Sequence, residues 1–196
     1  MALVGMLVCW HAPSAFAQSD RRIYFHGDFG YGAMEDDEGT LGKGLALGAA
    51  IGGVIVDAVQ VEFSVTRMHH QRSLAISWEG DITSYVGRVA YRSGGPGSTT
   101  RFIAGIGAGH YSYSGIISET IFPALSAAPI VDRFHYSFSG FVYETGLGLE
   151  FEAGRNAFIR PEVWVTLPSG ERTTGGRTPE PPFLIARAAV VAGLRF

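Results

Sequence analysis

From residue 22 onward, apolar and polar positions trade places with period two over stretches of ten or more residues. Nowhere does an apolar face recur at i, i+3, i+4 and i+7 for long enough to suggest an amphipathic helix. In 58–68, Val59, Val61, Phe63 and Val65 oppose Gln60, Glu62 and Ser64; in 136–152, Phe141, Tyr143, Leu147, Leu149 and Phe151 oppose Glu144, Gly146, Gly148 and Glu150. In 157–167, Ile159, Val163 and Val165 oppose Arg160 and Glu162; at the end of the chain Leu184, Ala186, Ala188, Val190, Ala192, Leu194 and Phe196 share one face, with Arg187 and Arg195 on the other. Successive side chains of a strand point to opposite faces, so each stretch reads as a strand with one apolar and one polar face. The pattern predicts eight strands, at 22–33, 43–56, 58–68, 82–92, 100–113, 136–152, 157–167 and 184–196. The fold class is therefore all-β.

Connection lengths decide the architecture. The second, fourth and sixth are short, around Asp57, at Ser93–Ser98 and at Ala153–Asn156, whereas 34–42, 69–81, 114–135 and 168–183 are longer. Most strands have the ten or so residues that a tilted strand needs to cross a bilayer. Short turns on one side and long loops on the other are the pattern of an eight-stranded antiparallel up-and-down transmembrane β-barrel, its turns facing the periplasm. Alternation does not by itself say which face is inside. In lipid the apolar face must point outward, and closing the sheet satisfies every backbone group. Phe102, Tyr91, Phe151 and Phe196 fall at the turn ends of strands, and Tyr31, Tyr85, Tyr111, Phe141 and Tyr143 toward the other rim, as two aromatic girdles would require.

The first seventeen residues carry no Asp, Glu, Lys or Arg and end in Ala15-Phe16-Ala17, which reads as a secretory signal peptide cut after Ala17. The barrel is then expected over 18–196, in the outer membrane of a Gram-negative envelope. Cleavage removes Cys9, the only cysteine, so neither disulfides nor thiolate metal ligands are expected. With 27 glycines and a single lysine, Lys43, the composition disfavours a helical bundle, and a net charge of −3 gives no basic footprint for nucleic acid.

Laid out this way, the mature chain resembles the OmpA/OmpX-type small outer-membrane barrels. The terminal Ala192-Gly-Leu-Arg-Phe196 carries the resemblance, with a final Phe and apolar residues at every second position before it; Arg160-Pro-Glu162 on the penultimate strand is similar as well. The resemblance implies that Phe196 and Leu194 act as the signal read by the barrel assembly machinery. It does not bring a periplasmic peptidoglycan-binding domain with it.

Candidate chemistry lies on the inward face. Asp28, Glu62, Glu144, Glu150 and Glu162 share it with Arg88, Arg101, Arg160, Arg187 and Arg195. An eight-stranded barrel is just wide enough for side chains to fill. Arg–carboxylate pairs can satisfy one another there, so a charged plug is expected ahead of a narrow or gated conduit. Gly48, Gly52, Gly105, Gly107 and Gly109 on the same face leave room for long side chains. No cofactor or metal site is expected: Glu35-Asp-Asp-Glu38 lacks the spacing of a calcium loop and reads as a solvated charge run, and His69 and His70 fall in a connection. The apolar segment 114–135 and the segment 168–183 are expected to meet a surface partner, or in the first case to fold over the mouth. His135-Tyr136-Ser137 resembles the His-x-Ser pair of the PagL lipid A deacylases. The family's Asn is replaced by Phe138, however, and the nearby acids Asp132 and Glu144 have the opposite parity, so no third group orients the histidine. A structural or surface-interaction role without catalysis is the expectation, ahead of a narrow channel for a small or hydrophobic solute and of a lipid A-modifying enzyme.

Overall fold

A computed structural model describes residues 23–36, 39–56, 58–72, 76–94, 98–121, 130–169 and 184–196. The expected signal peptide lies outside them. Eight strands follow in order: β1 (Ile23–Asp36), β2 (Gly39–Val56), β3 (Val59–Arg72), β4 (Ile76–Arg92), β5 (Thr100–Ile121), β6 (Ile130–Glu152), β7 (Ala157–Ser169) and β8 (Leu184–Arg195). Each pairs antiparallel with the next, and β8 pairs with β1, from Tyr24↔Arg195 to Glu35↔Leu184. The sheet is a closed barrel.

The turn end is tightly made. The β6–β7 turn closes with Ala153 N donating to Ala157 O at 2.9 Å. Gly154 within it has φ +111°, a conformation that favours glycine. Phe196 N donates to Ile23 O at 2.9 Å and fixes the end of the chain against the first strand. The ladder between β6 and β7 runs from Phe141↔Ser169 to Gly148↔Glu162 and resumes at Phe151↔Ile159. The gap falls beside Pro161, which has no N–H to donate.

At the hairpin end the strands run further than hydrophobic alternation suggests. Residues 69–72 belong to β3 and 76–81 to β4, so His69 and His70 sit in a strand, not in a connection. Likewise 34–36 continue β1 and 39–42 open β2. Most of 114–135 is a hairpin, with Ser114↔Ser137 and Ile121↔Ile130 paired, rather than a loop folded over the mouth. Only 122–129 of it, and 170–183 of the last long segment, lie outside the described residues. The physical reason is simple. Beyond the apolar band both faces of a strand can be polar, so the period-two signal fades while backbone pairing continues.

The faces are arranged as lipid demands and as water would not. Leu47 is 60% exposed, Ile106 67% and Phe141 69%, while Arg160 and Glu150 are 2% exposed and Glu62 6%. Large apolar side chains cover the outside and charges fill the inside. That is a soluble protein inverted.

Candidate functional site: the charged lumen

The lumen is built in layers. At the turn end Glu150 on β6 lies opposite Arg101 on β5 in the register, and its Oε1 also receives Arg92 Nη2 at 3.1 Å and Arg195 Nη2. Arg101 Nη1 donates to Glu152 Oε1 at 2.5 Å. The Arg195 guanidinium lies over the Phe158 ring, 4.7 Å from its centroid. Arg92 and Glu152 are not among the expected residues, and they join with one charge of each sign, so the balance is kept.

The next layer centres on Glu62. It faces Arg88 across the β3–β4 ladder and accepts Arg88 Nη1 at 2.7 Å on Oε1. Its Oε2 accepts His26 Nε2–H at 2.9 Å, Tyr24 Oη at 3.2 Å and Arg160 Nη2 at 3.4 Å. Arg160 Nε donates to Glu162 Oε2 at 2.8 Å, Arg88 Nε to Glu144 and Arg187 Nη1 to Asp28. Arg187 Nη2 comes within 3.7 Å of Glu162 Oε1. The Arg88 guanidinium also stacks on Trp164 at 4.2 Å. A Cβ at position 107 would stand 2.7 Å from Val86 and about 3 Å from both Glu144 and Arg88. Glycine there is what admits the pair. All ten expected lumen charges point inward, and their contacts join them into two sets, one through Glu62 and Glu162 and the other through Glu150. Parity alone did not single out Tyr24 and His26, although they share the inward face of Asp28.

Toward the hairpin end the filling changes character. Met34, Met68, Ile82, Val86, Tyr111, Tyr113, Val142 and Ile185 form a buried cluster. His70 Nε2 and Tyr113 Oη are hydrogen-bonded at 2.5 Å, and Tyr113 stacks on Phe138 with centroids 4.6 Å apart. Tyr111, expected in the outer girdle, is 1% exposed and belongs to this interior cluster. Its odd position puts it on the same face of β5 as Arg101.

Outside the barrel, Leu194 and Phe196 face outward, 50% and 67% exposed. His135 and Ser137 are exposed on the outward face of β6, while Glu144 points inward and is held by Arg88. The two therefore have no carboxylate from Glu144 behind them. Among the described residues no three His, Cys, Asp or Glu side chains cluster as metal ligands would.

No family model and no curated protein matches the sequence. Solved structures do match the fold. The neisserial surface protein A superposes with a TM-score of 0.65 at 10% identity, over 89% of this chain and 97% of that one. A major outer membrane protein from Thermus thermophilus gives 0.56 at 13% identity, covering 89% and 99%. Ail, the attachment invasion locus protein of Yersinia pestis, in complex with the heparin analogue sucrose octasulfate, gives 0.52 at 14% identity, also covering 89% and 99%. The chain thus has the fold of the small OmpA/OmpX-type outer-membrane barrels.

Proposed function

We propose that the protein is a Gram-negative outer-membrane barrel with a structural and surface-contact role, and that the β5–β6 hairpin is its contact surface. The hairpin carries the reading. Strands β5 and β6 have 22 and 23 residues, against 12 to 18 for the other six. Pairing of β6 with β7 ends at Phe141↔Ser169, so 130–140 stand clear of β7. This surplus exposes Ile130 (57%), Val131 (53%) and Phe134 (42%) beyond the apolar band. Apolar side chains outside both lipid and core favour a partner. Two of the similar structures are named for surface or attachment roles, which agrees with this reading. The packed, ion-paired lumen supports a wall element in preference to a conduit, and the placing of His135 and Ser137 on the face opposite Glu144 supports a non-catalytic protein.

The test uses cells expressing the wild type or the triple variant Ile130→Ser, Val131→Ser, Phe134→Ser. Both should fractionate with the outer membrane and migrate faster unboiled than boiled. The triple variant should lose at least half of the cells' adhesion to apolar and epithelial surfaces. Equal adhesion would remove the hairpin's role, and large steady single-channel conductance of the wild type in planar bilayers would replace the reading with a transporter.

A further inference from the structure

The hairpin-end half of the lumen contains a cavity of about 30 Å³, walled by apolar side chains such as Met68 and Val142. Three lining residues carry polar atoms that no protein group hydrogen-bonds: Thr66 Oγ1, Tyr111 Oη and Arg187 Nη2, the last with only the Glu162 carboxylate 3.7 Å away. All three residues are more than nine-tenths buried, at 8%, 1% and 6% exposure. Buried polar groups normally find a partner, and an unmet hydroxyl or guanidinium N–H is costly in apolar surroundings.

We propose that this cavity is a water-binding site, holding one molecule that bridges Thr66 Oγ1 and Tyr111 Oη to Arg187 Nη2. Size sets the first limit. A water needs at least roughly 10–15 Å³, has a share of about 30 Å³ in the liquid and takes two to four polar partners, so the cavity admits one molecule, at most two, and no larger solute. Charge sets the second. Glu144 also lines the cavity, and the Arg187 charge is already met by Asp28, which disfavours a monatomic anion. The guanidinium itself disfavours a cation. Hydrogen-bonding capacity sets the third. The occupant must accept from Arg187 while exchanging bonds with two hydroxyls that both donate and accept, and water has two protons and two lone pairs for that. The ion pairs of Arg187 and Glu144 lie on one side of the site and the Tyr111–Phe138 ring contact on the other. The water is thereby a structural part of the filling and not a link in an open pore.

The test is a crystal structure of the purified barrel at a resolution that shows ordered water, alongside Thr66→Val, Tyr111→Phe and their double variant. Both changes keep the shape and delete a hydroxyl. The wild type should show a peak at about 2.7–3.2 Å from at least two of the three atoms. The double variant should lose it and melt no higher than wild type, because hydroxyls that are already satisfied gain nothing by removal. Two results would overturn the proposal. One is no peak in the wild type together with a double variant that melts several degrees higher, the mark of a dry cavity with unmet hydroxyls. The other is a strong anomalous peak at the site after a bromide soak, which would make it an anion site.

Discussion

The two halves of the lumen fill the same space by different physics. Around Glu62 and Glu150 the side chains are charged and paired, each carboxylate taking two or more donors. Around Met68 and Tyr111 they are apolar and aromatic, and Thr66 Oγ1 and Tyr111 Oη there have no hydrogen-bond partner in the protein. An eight-stranded barrel requires only that its interior be filled, and either chemistry will do that. The difference lies in how each tolerates damage. An apolar filling that loses atoms leaves a small void, whereas a paired filling that loses one partner leaves buried charge short of a counter-charge.

That contrast is sharpest at Glu62. Glu62→Ala strips one acceptor from Arg88, Arg160, His26 and Tyr24 together, and it should cost roughly 3–5 kcal/mol, the usual penalty for removing one partner of a buried ion pair. The check is the urea unfolding midpoint of the barrel in lipid vesicles, followed by tryptophan fluorescence and the gel shift of unboiled samples. In the other half, Met68→Ala deletes a buried apolar side chain and should cost roughly 2–4 kcal/mol through lost transfer energy and the cavity it leaves. A Met68→Ala barrel less stable than Glu62→Ala would reverse the comparison and make apolar packing the stronger support of the lumen.

One half is more legible in the sequence than the other, for a physical reason. Period-two parity places Glu62, Arg88, Arg160 and Glu162 on the inward face without any structure. Parity gives a face and no height, however, so it does not say that Glu62 meets Arg88 across one ladder and Arg160 from nearly a hundred residues away. Register set by the turns supplies that. At the hairpin end the apolar signal itself weakens. The alternation of apolar residues stops near Met68, so the pattern puts His70 in a connection and cannot foresee its bond to Tyr113. Height along β5 suggests the girdle for Tyr111, although its parity with Arg101 points inside. Height and parity disagree there, and parity is right. The long β5–β6 hairpin is hidden for the same reason as His70, since its outward Ser112, Ser114, Ser137 and Ser139 carry no hydrophobic period.

A third acid, at the outer rim, supplies the small end of the scale. Asp81 on β4 lies beyond the Tyr85 girdle, opposite His69 in the β3–β4 ladder. Arg67 Nη2 donates to its Oδ2 at 2.9 Å, and His69 Nδ1 lies 3.2 Å from Oδ1. The hydrogen bonds from Arg67 hold the carboxyl below its ordinary value. A lowered carboxyl favours the fold where the group is charged, so its contribution is present above about pH 4, the ordinary value for Asp. It is lost as the pH falls through the lowered value. The contribution is small, because both partners meet solvent, the Arg67 side chain being 67% exposed. Asp81→Asn should therefore shift the unfolding midpoint least of the three variants at pH 7. Its difference from wild type should begin to shrink below about pH 4, where the carboxyl of the unfolded chain takes up its proton ahead of the native one, and should shrink again in 1 M salt, which screens exposed charges within about 3 Å. The Glu62→Ala deficit should persist in the same salt, since its charges are shut away from solvent. Midpoints measured for both variants at pH 7 in low and high salt, and for Asp81→Asn again at pH 3, decide the matter. An Asp81→Asn deficit that matches Met68→Ala, or one that survives both acid and salt, would show that the rim triad supports the barrel as firmly as the lumen does.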